Sequence, residues 1–221
     1  MKIGALKSFL FCLTAATSMI TPAIGVAQPA DPPKLVLDIN GPNGRTFGVG
    51  FSRDSRRLYA AGASKVVHVW DVGWNLPENP DHPPVATPIR TLRWELSRAE
   101  RGRINAMALS PAHDRLAIGG NSARDYGITL FNLQTNEVET TLPLQFSPQN
   151  RNGPDEYVRH LDFSPDGNSL VSVAMNGEIW VWNAPQIPGG NWSGRIIRGQ
   201  DPSLNSQVPA IFVDNNHIVA A

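Results

Sequence analysis

The sequence predicts an all-β protein built from a repeated four-stranded antiparallel unit, and three observations predict it. A short motif recurs as Phe51-Ser52-Arg53-Asp54, Leu109-Ser110-Pro111-Ala112 and Phe163-Ser164-Pro165-Asp166-Gly167. In every copy an apolar residue follows seven positions after the first, at Leu58, Leu116 and Leu170. An alternating run closed by an aromatic and a small polar residue comes next: Val67-His68-Val69-Trp70-Asp71, Ile128-Thr129-Leu130-Phe131-Asn132 and Ile179-Trp180-Val181-Trp182-Asn183. Its aromatic lies 19, 22 and 19 positions after the first anchor. Anchors held in register around one variable loop mean strands joined by turns.

Period-two alternation puts Val49 and Phe51, or Leu161 and Phe163, on one face of a first strand. A turn of the Ser-Pro-Asp-Gly kind follows, in which proline presets one backbone angle and glycine tolerates a positive one. The second and third strands carry the later anchors. The three-residue excess of the middle copy falls in the polar stretch Asn121 to Gly127, which reads as a loop. A fourth strand is expected at Ile89 to Glu95, Val138 to Leu142 and Arg195 to Arg198. Between units lie insertions at Gly73 to Pro88, with five prolines, Gln145 to Glu156 and Ala184 to Gly194. A fourth unit begins at Val208 to Val213, turns at Asp214-Asn215-Asn216 and starts a second strand at His217. Four short antiparallel strands per repeat make a propeller blade. The expected architecture is a β-propeller of three blades plus the start of a fourth, an incomplete ring spanning 34–221. Its blades fall at about 46–96, 103–143, 157–199 and 208–221, after a short linker at 28–33.

The Trp70-Asp71 dipeptide, and Phe163 to Gly167 followed by Trp180-Val181-Trp182-Asn183, resemble the WD-repeat family, in its bacterial secreted type. The resemblance implies a structural role for Phe51, Trp70 and Asp71, for Leu109, Phe131 and Asn132, and for Phe163, Asp166, Trp182 and Asn183. It also implies a network within each blade of a histidine before the first strand, an aspartate in a later turn and the tryptophan. This chain departs from that network: Arg103 lies where the histidine would be, Asn176 replaces the aspartate in the third copy, and Asp125 keeps the acid in the second. Lys34 to Ile39 resembles the N-terminal strand that completes the last blade in this family. An array ending in half a blade leaves an apolar face and open strand edges. The expectation is an N-terminal part of a longer protein, with further blades beyond Ala221, or a partner chain that completes the ring.

The N-terminus carries Lys2 and Lys7, an apolar stretch from Phe9 to Ile20, Pro22, and small residues around Gly25-Val26-Ala27. That is the pattern of a secretory signal peptide at 1–27, cut after Ala27. Its apolar core is about a dozen residues, short of the roughly 20 that span a bilayer. A secreted or periplasmic protein without stable membrane insertion is expected. Cleavage leaves 17 basic against 19 acidic residues, a near-neutral surface that offers nucleic acid no electrostatic pull. Cys12, the only cysteine, lies in the removed segment, so the mature chain is expected to form no disulfide, thiolate metal site or cysteine nucleophile.

Five histidines, His68, His82, His113, His160 and His217, show no metal-ligand spacing, and no nucleophile elbow, phosphate loop or dinucleotide fingerprint occurs. Gly48-Val49-Gly50 reads as a place where neighbouring blades approach closely, and Asp155-Glu156 as solvated turn residues. Trp74, Trp94 and Trp192 fall outside the repeat anchors, where capping of sheet edges is expected, and Asn191-Trp192-Ser193 matches a glycosylation sequon. No catalytic, cofactor or metal site is expected. The candidate partner-binding patch is Arg98, Arg101 and Arg103 in the loop entering the second blade, with Arg124 and Tyr126 from the loop within it and Arg151 and Tyr157 from the loop before the third. Forked guanidinium donors and rigid amphipathic rings are the groups that dominate interface hot spots. The expected function is a non-catalytic scaffold that binds a protein or peptide. The rival readings are a sensor domain of an exported enzyme, such as a caspase-like peptidase with its catalytic domain beyond Ala221, and an enzyme with its site in the propeller channel.

Overall fold

The computed structural model describes residues 42–72, 86–94, 102–121, 127–144, 157–187, 189–198 and 209–220. Among them every regular element is a strand. The first antiparallel sheet holds β1 (Thr46–Phe51), β2 (Arg57–Gly62), β3 (Val66–Val72) and β4 (Ala86–Arg93) in that order. The second holds β5 (Arg103–Leu109), β6 (Arg115–Asn121), β7 (Ile128–Asn132) and β8 (Glu137–Leu142). The third holds β9 (Val158–Phe163), β10 (Ser169–Ala174), β11 (Ile179–Asn183) and β12 (Ser193–Arg198). A two-stranded sheet of β13 (Ala210–Phe212) and β14 (Ile218–Ala220) follows. First strands lie side by side, β1 against β5, β5 against β9 and β9 against β13. The sheets are therefore arranged as propeller blades in a ring that is not closed.

The constant spacing has a direct structural meaning. Phe51 pairs with Leu58 and Leu58 with Trp70, Leu109 with Leu116 and Leu116 with Phe131, and Phe163 with Leu170 and Leu170 with Trp182. Each repeat thus carries one cross-strand row of three large apolar side chains. The rows of the second and third sheets face the preceding sheet. Leu116 and Phe131 pack with Tyr59, Val67 and Val69, while Phe163, Leu170 and Trp182 pack with Ala117, Leu130 and Leu142. The opposite face of the third sheet, Val171, Val173 and Val181, covers Ala210 of β13. Two interleaved faces per sheet make the core a series of layers.

Close approach is achieved by small residues at the joints. A Cβ placed on Gly48 would lie 2.7 Å from the Cβ of Met107, and one on Gly119 would lie 2.7 Å from Cγ1 of Val158. Glycine is needed there because β1 presses on β5 and β6 on β9.

Three details differ from the sequence expectations. Pro88 belongs to β4 and not to the preceding insertion: it sits opposite Trp70, on an outer strand where its missing N–H costs no ladder bond on the open side. Trp94 and Trp192 do not merely cap edges. They pack against the cores between sheets, and the Trp94 indole N–H donates to the Gly102 carbonyl at 3.0 Å. The turn position expected to need glycine has it only at Gly167 (φ 72°), while Ser55 and His113 take φ of 57° and 56°. The proposed signal peptide, the strand at Lys34 to Ile39, Trp74, and most of the loops at Asn121 to Gly127 and Gln145 to Glu156 lie outside the described residues.

Replacing Gly48 by alanine is expected to destabilise the fold by about 1–3 kcal/mol, because the new methyl has no room beside Met107. His113→Gly should raise the melting temperature, since it relieves a left-handed residue worth about 1–2 kcal/mol of strain against a smaller entropic cost. Thermal unfolding followed by circular dichroism checks both.

Candidate interaction surfaces

One end of the sheets is formed by the starts of the first strands. Arg103 and Tyr157 occupy the same register, six residues before Leu109 and Phe163, so two neighbouring strands present them at equivalent positions. Arg45 holds that position in the first sheet and is exposed. The Arg103 guanidinium lies 5.7 Å from the centre of the Phe47 ring, a cation–π pair that joins the first and second sheets. Tyr157 is half-buried, and its carbonyl accepts the Met175 N–H at 2.9 Å. Beside it the Arg159 Nη1 donates to the Met175 sulfur at 3.2 Å. Arg98, Arg101, Arg124, Tyr126 and Arg151 lie outside the described residues, as does Asp125.

The other end is formed by hairpin turns, and one serine organises each of them. Ser52 Oγ donates to Asp54 at 2.6 Å, Ser110 Oγ to Asp114 at 2.7 Å and Ser164 Oγ to Asp166 at 2.6 Å. The same oxygens accept the backbone N–H groups of Arg57, Arg115 and Ser169 at 2.9, 3.0 and 2.9 Å. The serine, present in all three sequence copies, is thus the conformational centre of the turn. These bonds to the ionised form hold the carboxyls of Asp54 and Asp166 below the ordinary aspartate value, the serine hydroxyl being the largest cause.

The repeat residues play several roles. The Trp182 indole N–H donates to the buried Ser172 hydroxyl at 3.0 Å. Position 172 corresponds to Ala60 and Ile118 in the other sheets, so this tie between the second and third strands exists in the third sheet alone among those described. Trp180 stacks on Trp182 at 5.3 Å between ring centres, and His68 stacks on Trp70 at 5.5 Å in the equivalent place. Asn132 accepts the N–H groups of Gln134 and Thr135 at 2.8 and 3.1 Å, and Asn183 accepts the Ser169 hydroxyl at 3.0 Å. Asp71 is exposed opposite Arg57. Asn176, in the position of the network aspartate, accepts the Glu178 N–H at 3.0 Å. His160 is half-buried on β9, and burial pushes its imidazole below the ordinary histidine value, with nearby Asp162 acting the other way.

Between the third and fourth sheets polar ties supplement the apolar packing around Ala210. Phe212 N–H donates to the Asp162 carboxylate at 2.8 Å, and Asp166 N–H to the Asn215 side-chain oxygen at 3.0 Å. Among the described residues no group of three or more histidines, cysteines or acids is placed to hold a metal ion, and no helix is long and apolar enough to cross a membrane.

Ser164→Ala is expected to destabilise the chain by about 1–3 kcal/mol, since it orphans groups around a fully buried hydroxyl. It should also flatten the acid limb of the stability profile. The Asp166 value is lowered in the fold, so its contribution is present above the unfolded value near 3.8 and is lost as pH falls through the folded one. Denaturant midpoints measured across that acid range for both proteins check the pair of effects.

A search of curated proteins finds no match to this chain. The family model of the WD domain, G-beta repeat, matches residues 146–183, the stretch that ends with β9, β10 and β11. The chain carries a WD40 repeat at that segment, in the sheet where the tryptophan is tied to a buried serine.

Proposed function

We propose that this chain is an exported, non-catalytic scaffold that captures a protein partner on the end of the sheets where the first strands begin. The observation that carries the reading is the WD40 repeat in a fan of register-locked blades, an architecture suited to protein interaction. Neighbouring sheets hold the strand starts in fixed relative positions, so a partner meets Arg103 and Tyr157 without a large ordering cost. Guanidinium and phenol groups there favour a protein or peptide surface. The near-neutral charge balance disfavours nucleic acid.

Export is supported by the lysines at 2 and 7, the short apolar core and the small residues before the cut after Ala27. The mature protein then acts outside the cytoplasm, in the periplasm or beyond the cell.

Substituting Arg101 and Arg103 together by alanine should weaken partner capture, read by affinity isolation with the tagged chain, while the melting temperature stays nearly unchanged. The cation–π attraction between Arg103 and Phe47 is worth about 0.5–1 kcal/mol, and its removal is too small a change to unfold the chain. Undiminished capture removes the patch from consideration. Recovery of the processed chain in the cytosol alone would overturn export.

A further inference from the structure

The hairpin-turn end of the sheets carries a cleft lined by charged side chains. The cleft, of about 420 Å³, opens between the β1–β2 turn and the β5–β6 turn, and it brings Arg53 and Arg57 of the first sheet toward His113 and Asp114 of the second. Its carboxylates are already engaged. Asp54 accepts the Ser52 hydroxyl at 2.6 Å and the Arg56 N–H at 3.1 Å. Asp114 accepts the Ser110 hydroxyl at 2.7 Å and lies 3.7 Å from the Arg115 guanidinium, which itself pairs with Glu139 at 2.9 Å.

The cations of the cleft are not matched in this way. Among the described residues no hydrogen bond or ion pair engages the side chain of Arg53 or Arg57, although Asp71 is the cross-strand neighbour of Arg57, and both arginines are exposed. His113 adds an Nδ1 that is buried and has no hydrogen-bond partner. Two forked guanidiniums facing anions that are satisfied within their own turns leave unspent donor capacity for an incoming anion. The cleft far exceeds the roughly 30 Å³ share of a single water, and the buried Tyr59 and Leu133 form part of its floor. A small inorganic anion would leave most of that volume unfilled. A glutamate side chain offers methylenes for it and a carboxylate for the arginines.

We propose that this cleft binds the acidic side chains of a peptide segment presented by a partner, with Arg53 and Arg57 as the carboxylate-binding residues. The site deepens the scaffold reading by naming the partner's chemistry at a second face. It fails independently of the Arg101 and Arg103 patch.

The test uses the full chain and a fluorescein-labelled hexaglutamate peptide, read by fluorescence anisotropy. Hexaglutamate should bind and hexaglutamine should not, and affinity should fall as salt rises. Joint Arg53→Gln and Arg57→Gln substitution should weaken binding by about tenfold or more, as expected of charge-assisted hot-spot residues. Joint substitution by lysine should recover part of it through charge alone, and Arg195→Ala, at an exposed arginine of β12, should leave it unchanged. Several results overturn the proposal: no hexaglutamate binding by the unaltered chain, equal affinity in the double glutamine variant, or lysine behaving as glutamine. Displacement of the peptide by an equal concentration of inorganic phosphate also overturns it, because the site would then be a simple anion pocket.

Discussion

A β-sheet that is apolar on both faces is stable in water only when both are covered, and this two-sided burial governs the molecule. The second sheet meets it fully: Leu116, Ile118 and Phe131 are covered by the first sheet, and Ala117, Leu130 and Ile128 by the third. At about 25 cal/mol per Å² of apolar surface removed from water, such layers are the main source of cohesion in a chain whose described residues contain no cysteine. Their geometry dictates the rest. Rows of large residues must face the preceding sheet, small residues must lie where strands press together, and turns must hold each hairpin to one register.

The same requirement explains why the joints differ. Between the first and second sheets, and between the second and third, full four-stranded faces meet and apolar packing suffices. The fourth unit offers two described strands and little area, and there the Asp162 and Asn215 bonds supplement Ala210. At the first sheet the face that would meet a preceding one is open along β1: Val49 is 62% and Phe51 46% exposed, whereas Phe163 at the equivalent place is 5% exposed. Trp70, in the same row as Phe51, is nevertheless buried and stacked on His68.

The two ends of the sheets are chemically distinct because they arise from different chain features. Strand starts carry whatever residues precede the alternating run, here Arg103 and Tyr157. The turn end repeats a serine and, in each copy, an aspartate bound to it; of the arginines beside them Arg115 pairs with Glu139, while Arg53 and Arg57 are exposed. The groups that maintain the turns are thus different side chains from the exposed arginines beside them.

The hairpin registers were legible in the sequence because pairing across a short turn is local. Seven residues from Phe51 to Leu58, and likewise in the other copies, admit one antiparallel register, and alternation then assigns each side chain to a face. The patch was legible only in part: Arg103 was expected in the loop before the second unit and is instead the first residue of β5, Tyr157 immediately precedes β9, and most of their proposed companions lie outside the described residues. Pro88 was not legible as strand, since proline-rich sequence reads as loop and only an outer-edge position permits it in a ladder. Nor was the left-handed backbone at Ser55 and His113, which the serine-centred bonds impose on residues that do not favour it.

What the sequence determined alone was therefore the all-β class, the repeat and the partner strands within each sheet, all consequences of period two and short connections. Only the tertiary structure decided which faces meet, that Gly48 would rest on Met107, and that Arg53 and Arg57 would share a cleft with His113. The physical reason is range. Hydrogen-bond registry acts between neighbours in the chain, whereas the spacing between sheets emerges from side-chain volumes contributed by segments far apart in it.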